Sequence, residues 1–177
     1  RDSDPVCSPG GRQVAFIRVP WSNRGFGATR SAQTPWSIRL ADAETGKGRE
    51  LWQAQAGQGS AFHAMVAENQ LLWGAGDRIV FPWEKTGWAH LYSISTRGDS
   101  PKALNPVCEF DVEHVALTHD GRDVLFSTNQ DDIDRRHIRR VSVLGEKSAT
   151  VTTGEGLEWE PVELSDDHGI AVLRSDW

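Results

Sequence analysis

A short turn-and-strand unit recurs along this chain, and it constrains the fold more than any other feature of the sequence. The clearest copy, Ser8-Pro9-Gly10-Gly11-Arg12-Gln13-Val14-Ala15-Phe16, runs from a Pro/Gly turn into an apolar strand. A second clear copy is Thr118-His119-Asp120-Gly121-Arg122-Asp123-Val124-Leu125-Phe126, with Gly121, Val124 and Phe126 in the places of Gly11, Val14 and Phe16. Weaker copies are Gly76-Asp77-Arg78-Ile79-Val80-Phe81 and the stretch from Pro161 to Leu173. Phe16, Phe81, Phe126 and Val172 then lie 65, 45 and 46 residues apart. A repeat of about 45 residues is the length of one four-stranded propeller blade.

The longer first interval requires an insertion, and Pro20 to Ala28, broken by glycines and polar residues, is its expected place as a loop. Within the unit around Phe126 four strands are expected near 113–117, 123–128, 137–143 and 148–152. Trp36 to Leu40 and Ala89 to Ser95 take the third-strand place in the two earlier units. Trp83-Glu84-Lys85-Thr86-Gly87-Trp88-Ala89-His90-Leu91-Tyr92 joins two of these strands as an aromatic hairpin whose break is Gly87. Leu91 and Ile94 do not share one parity, which predicts a bulge near Tyr92. Ala61 to Gln70 is the best helical candidate, and it reads equally as a strand entering the second blade. The chain is therefore expected to be all-β: a partial propeller over 1–177, with units of roughly 5–56, 62–105, 110–153 and an incomplete 157–177.

Composition bounds function. The formal charge of −6 argues against a nucleic-acid surface, which needs a positive field. The arginines at 135, 136, 139 and 140 interleave with Asp131, Asp132 and Asp134 and read as a solvated hairpin face. Two cysteines, Cys7 and Cys108, are too few for a disulfide scaffold and lack zinc-ligand spacing. No apolar run approaches a membrane span, and both ends read as cuts through a longer protein. Eight tryptophans against one tyrosine suggest large aromatic wedges between packed sheets, or a binding floor.

Each candidate for chemistry has a plainer reading beside it. There is no Gly-x-Ser-x-Gly; Gly57-Gln58-Gly59-Ser60 is the nearest approach and reads as a loop. Gly74-Ala75-Gly76-Asp77 precedes a strand and offers no helix N-terminus to a phosphate. Asp131-Asp132-Ile133-Asp134 lacks the glycine and closing glutamate of a calcium loop. His114 and His119 are expected on opposite strand faces, with His119 helping the Thr118–Gly121 turn. Glu109, Asp111 and Glu113 alternate, which would aim three carboxylates to one side, either to receive an ammonium or as a polar outer face. Trp83, Glu84 and Trp88 read as a cation cage or as packing between blades. No catalytic, cofactor or metal residue is assigned.

The unit at Ser8–Phe16 resembles the Ser-Pro-Asp-Gly repeat of bacterial TolB-like propellers, with Gly10 in the usual Asp place. Trp83 to Tyr92 is more specific: it resembles a Trp-Glu-(Arg/Lys)-x-Gly-Trp-x-His-Leu-Tyr stretch in propellers of the dipeptidyl peptidase IV branch of prolyl oligopeptidase-type serine peptidases. Phe110 to Val115 and Asn129 to His137 resemble the same branch. The resemblance implies a propeller that filters and positions peptides ahead of an α/β-hydrolase domain carrying a Ser-His-Asp triad, in a periplasmic or secreted enzyme. Its partners would be that hydrolase domain and a peptide, with no cofactor, and a homo-oligomer is compatible with it. The triad lies outside this chain, and the paired glutamates that hold a substrate N-terminus have no match. The alternative is a non-enzymatic TolB-like propeller that binds a protein partner.

Overall fold

A computed structural model describes residues 1–20, 35–67, 69–145, 147–165 and 169–176. It is built from antiparallel sheets whose strands follow one another in chain order. The first sheet holds β1 (Asp2–Cys7), β2 (Gln13–Arg18), β3 (Ser37–Asp42) and β4 (Gly48–Gln53). The second holds β5 (Leu72–Gly74), β6 (Arg78–Trp83), β7 (His90–Ser95) and β8 (Lys102–Ala103). β9 (Val112–Leu117), β10 (Asp123–Thr128), β11 (His137–Ser142) and β12 (Ala149–Thr150) make the third. β13 (Leu157–Glu163) and β14 (Ile170–Ser175) pair as a fourth. This is a partial propeller sector, and the described residues contain no helix.

The repeated turn explains the repeated strand. Ser8 and Thr118 each accept an amide from the residue that opens the next strand, Gln13 or Asp123, on the side-chain oxygen at 3.1 and 3.0 Å. Gly11 and Gly121 close these turns at φ +66° and +69°, a left-handed backbone that glycine adopts without strain. Phe16, Phe81 and Phe126 each occupy the fourth position of the second strand.

Alternation then distributes the core. In β6, Ile79, Phe81 and Trp83 face the first sheet, while Val80 faces the third. In β7, Tyr92 and Ile94 join the first cluster and Leu91 the second. The expected bulge near Tyr92 is therefore absent: pairing runs unbroken from Arg78 opposite Ser95 to Trp83 opposite His90. Leu91 and Ile94 differ in parity because the second sheet buries both its faces. The tryptophans do serve as wedges. The indole of Trp36 meets Trp52 at 5.0 Å, Phe62 at 5.0 Å and Phe81 at 5.9 Å between the first two sheets.

Real bulges sit elsewhere. In β1, β9 and β13 the register slips at the same place, and Asp4, His114 and Glu160 there have φ of +54°, +42° and +50°. The stretch 61–67 is neither helix nor strand, and β5 begins only at Leu72; before it, the Gln70 side-chain amide accepts Met65 N–H at 2.7 Å and donates to the Met65 carbonyl at 3.0 Å. The insertion expected at Pro20 to Ala28 lies, beyond Pro20, outside the described residues.

The contact between third and fourth sheets is polar where the others are apolar. Glu158, buried to 1% exposure, accepts His137 Nδ1–H at 2.7 Å and the Thr152 hydroxyl at 3.2 Å. His119 and Glu163 lie 3.4 Å apart, and His114 and Glu160 4.0 Å. His114 and His119 thus both meet β13: His114 sits at the bulge of β9, and His119 lies beyond the strand's end, where its parity no longer holds.

Candidate functional site

The connections divide the sector into two ends. The β5–β6 and β9–β10 turns lie at one end, and the β6–β7 hairpin, the 104–111 segment and the β10–β11 loop at the other. An open cleft of about 300 Å³ lies at this second end, lined by Pro106, Cys108, Glu109, Phe110 and Asn129 to Ile133.

Its wall is fixed from behind by the aromatic hairpin. His90 is fully buried at the start of β7; its Nε2–H donates to the Cys108 carbonyl at 3.0 Å, and its Nδ1 accepts from Asn105 at 2.8 Å. These partners select the neutral imidazole with its proton on Nε2. Burial lowers the His90 pKa from its ordinary 6.5, opposed by the Cys108 carbonyl and the charge of Asp111. The ring meets Phe110 edge to face at 4.9 Å. Asn105 also accepts Leu91 N–H at 2.9 Å. Asp111 completes the clamp by accepting Ala89 N–H at 2.8 Å, while its own N–H donates to Asn129 at 2.8 Å.

A pH dependence follows. A buried base whose folded pKa lies below its unfolded one stabilises the fold fully above 6.5. That contribution is lost as pH falls from 6.5 through the folded value. Urea unfolding should show lower stability at pH 5.5 than at pH 7.5, with the slope between them reduced in His90→Gln. An unchanged slope would remove His90 as its source.

The carboxylates expected to share one face are dispersed. Glu109 and Asp111 precede β9, so no strand alternation relates them; Glu113 lies within it and pairs with Arg136 at 3.1 Å. Of these three, Glu109 lines the cleft, where it is exposed. Around the acidic loop, Arg139 pairs with Asp131 at 2.5 Å and Arg135 with Asp132 at 3.0 Å. The Arg135 guanidinium, then the Asp134 amide, holds Asp132 below the usual carboxylate range. The basic run is thus paired with acids: Arg140 takes Asp123 at 2.7 Å.

Other candidates resolve into structure. Ser60 is 5% exposed, and its backbone N–H donates to the Gly57 carbonyl while its own carbonyl accepts Trp36 N–H. The Gly59 carbonyl accepts both the Trp83 and the Trp36 indole N–H, at 2.8 and 3.2 Å. Trp83 is buried against Trp52 and Tyr92, with Lys85 over its ring at 5.1 Å, and Glu84 pairs with His63. A cage is therefore not assembled around Trp83. Gly74-Ala75-Gly76-Asp77 is the β5–β6 turn, and Ala75 N–H donates to Gly121 at 2.7 Å. In the Thr118–Gly121 turn, Thr118 and Asp120 bond each other at 2.8 Å, while His119 N–H donates to Glu163 at 2.7 Å. Among the described residues no cluster of three His, Cys, Asp or Glu side chains could hold a metal, and no helix is long and apolar enough to cross a membrane.

Solved structures share this architecture. The chain is similar to a puromycin-hydrolyzing peptidase of Mycobacterium tuberculosis, with 16% identity and a TM-score of 0.63 over 98% of this chain and 28% of that one. It is similar to prolyl endopeptidases, with 13% identity and a TM-score of 0.63 over 98% of this chain and 25% of theirs. TolB of Acinetobacter baumannii matches with 14% identity and a TM-score of 0.59 over 97% of this chain and 37% of that one. The chain thus spans between a quarter and two fifths of the length of these proteins, and at such identities the likeness is one of fold. No curated protein sequence matches it. The family model for the dipeptidyl peptidase IV N-terminal region matches residues 18–176, nearly the whole sequence, and the chain belongs to that family.

Proposed function

We propose that this chain is the substrate-gating and positioning propeller portion of a serine exopeptidase of the dipeptidyl peptidase IV type. The match of the family model over residues 18–176 carries this reading. Residues 1–177 form one propeller section without catalytic groups of its own. Acyl transfer belongs to a Ser-His-Asp triad in an α/β-hydrolase domain of the same protein, and the cleft end of the sector faces peptide. The sequence supports the division of labour, because it has no Gly-x-Ser-x-Gly and its nearest serine is buried.

The test compares residues 1–177 with the longer protein containing them. A fluorophosphonate probe should label the longer protein, which should release the chromophore from an Xaa-Pro substrate; residues 1–177 should do neither. Hydrolysis by 1–177 alone, or a longer protein that takes no label, would end the proposal. The second of these results would favour a protein-binding scaffold, which the similarity to TolB supports about equally.

A further inference from the structure

We infer that the cleft between the 106–110 segment and the β10–β11 loop binds a guanidinium or ammonium group carried on an aliphatic stem, as in an arginine or lysine side chain of a peptide. Three observations converge. First, the charges lining the cleft are not equivalent. Asp131 and Asp132 are already neutralised by Arg139 and Arg135, whereas Glu109 is exposed and bonded to none of the described residues. An uncompensated carboxylate at a concave surface attracts a cation more strongly than one on an open face. Second, the Oε1 of Gln130, which also lines the cleft, is buried without a hydrogen-bond partner. An orphaned amide oxygen gains from any donor that reaches it. A guanidinium supplies donors to both groups at once. Third, the lining also holds apolar groups: Pro106, Phe110 and the 76%-exposed Ile133 suit a methylene stem.

The backbone bearing Glu109 is held before any ligand arrives. His90 grips the Cys108 carbonyl, and Asp111 and Asn129 tie the 106–111 segment to both the β6–β7 hairpin and the β10–β11 loop. Little ordering cost therefore falls on binding. The inference rests on the reading that this end of the sector meets peptide, and it names the side-chain class the cleft selects.

Cys108 lines the cleft with an exposed thiol, and Cys7, also exposed, ends β1 beside the β1–β2 turn, outside the cleft lining, and serves as an internal reference. The probes are the blocked peptide acetyl-Ala-Arg-Ala-amide and its citrulline analogue, which has nearly the same shape without the charge. The arginine peptide should slow alkylation of Cys108 and leave Cys7 unaffected, with the citrulline peptide at least about tenfold weaker, a difference of 1.4 kcal/mol. Glu109→Gln should remove that difference, and Gln130→Ala should weaken protection severalfold. Equal protection by both peptides, or an unchanged preference in Glu109→Gln, would overturn the cationic class while leaving a peptide-facing cleft in place. Absence of protection by either peptide at 10-millimolar order would overturn the site. The fluorophosphonate experiment is independent of all these outcomes, so failure of the peptidase reading is separately visible.

Discussion

Truncating Trp36 to alanine should lower the unfolding free energy by about 4 kcal/mol, the largest loss expected from a single change in this chain. Its indole is 1% exposed and touches three other rings, one on the first sheet, one on the second and one on the 61–67 stretch. Removal would leave a cavity that stiff aromatic neighbours cannot collapse to fill. It also deprives the Gly59 carbonyl of one of its two indole donors. The check is urea unfolding of the variant beside wild type: a lower midpoint at an unchanged m-value is the expected result. A loss below about 1 kcal/mol would mean that the seam repacks around the gap.

Gly59→Ala should cost about 3 kcal/mol, from a left-handed backbone and a steric clash acting together. At φ +77° an added Cβ would lie 2.8 Å from Trp83 Nε1 and 2.9 Å from the Lys85 Cα. Neither is the end of a flexible side chain, so the loop or the hairpin must move. Gly57 provides the control: its φ is also positive, at +111°, but a Cβ there meets nothing within 4 Å. Gly57→Ala should therefore lose only the backbone share, about 1 kcal/mol. If the two glycine variants lose equally, close approach to Trp83 is not what constrains position 59. Combined with Trp36→Ala, the Gly59 change should be non-additive, because both act on one carbonyl.

These positions mark how far the sequence could be read. The strands around Phe126 were legible because turn residues and alternation agree there, and β10 and β11 fall where that pattern puts them. The family could likewise be read from Trp83 to Tyr92. What escaped was whatever depends on partners distant in sequence. His90 stands in that motif, yet its role is set by Asn105 and Cys108, which only the folded sheet brings to its ring. The bulge at His114 has no local signal and His119 falls past the end of β9, so strand parity does not relate the two, and both meet β13. Glu109, Asp111 and Glu113 alternate in the sequence, but alternation fixes direction only inside a strand, and β9 begins at Val112. The Gly59 carbonyl likewise gives no hint in sequence that two indoles compete for it.

The second sheet has no solvated face along β6 and most of β7, and this bears on how the molecule reaches its native state. A sheet that is apolar on both sides has little stability until a neighbour covers it. Its ordering should therefore be coupled to that of the first and third sheets, as in arrays whose units are held by nearest-neighbour contacts. Hydrogen exchange should then find the amides of β6 protected to the level of global unfolding, with no separate opening of that sheet. A nascent chain emerging in order would hold the Trp83–Tyr92 hairpin exposed until β10 arrived, which makes that interval its period of greatest risk for aggregation.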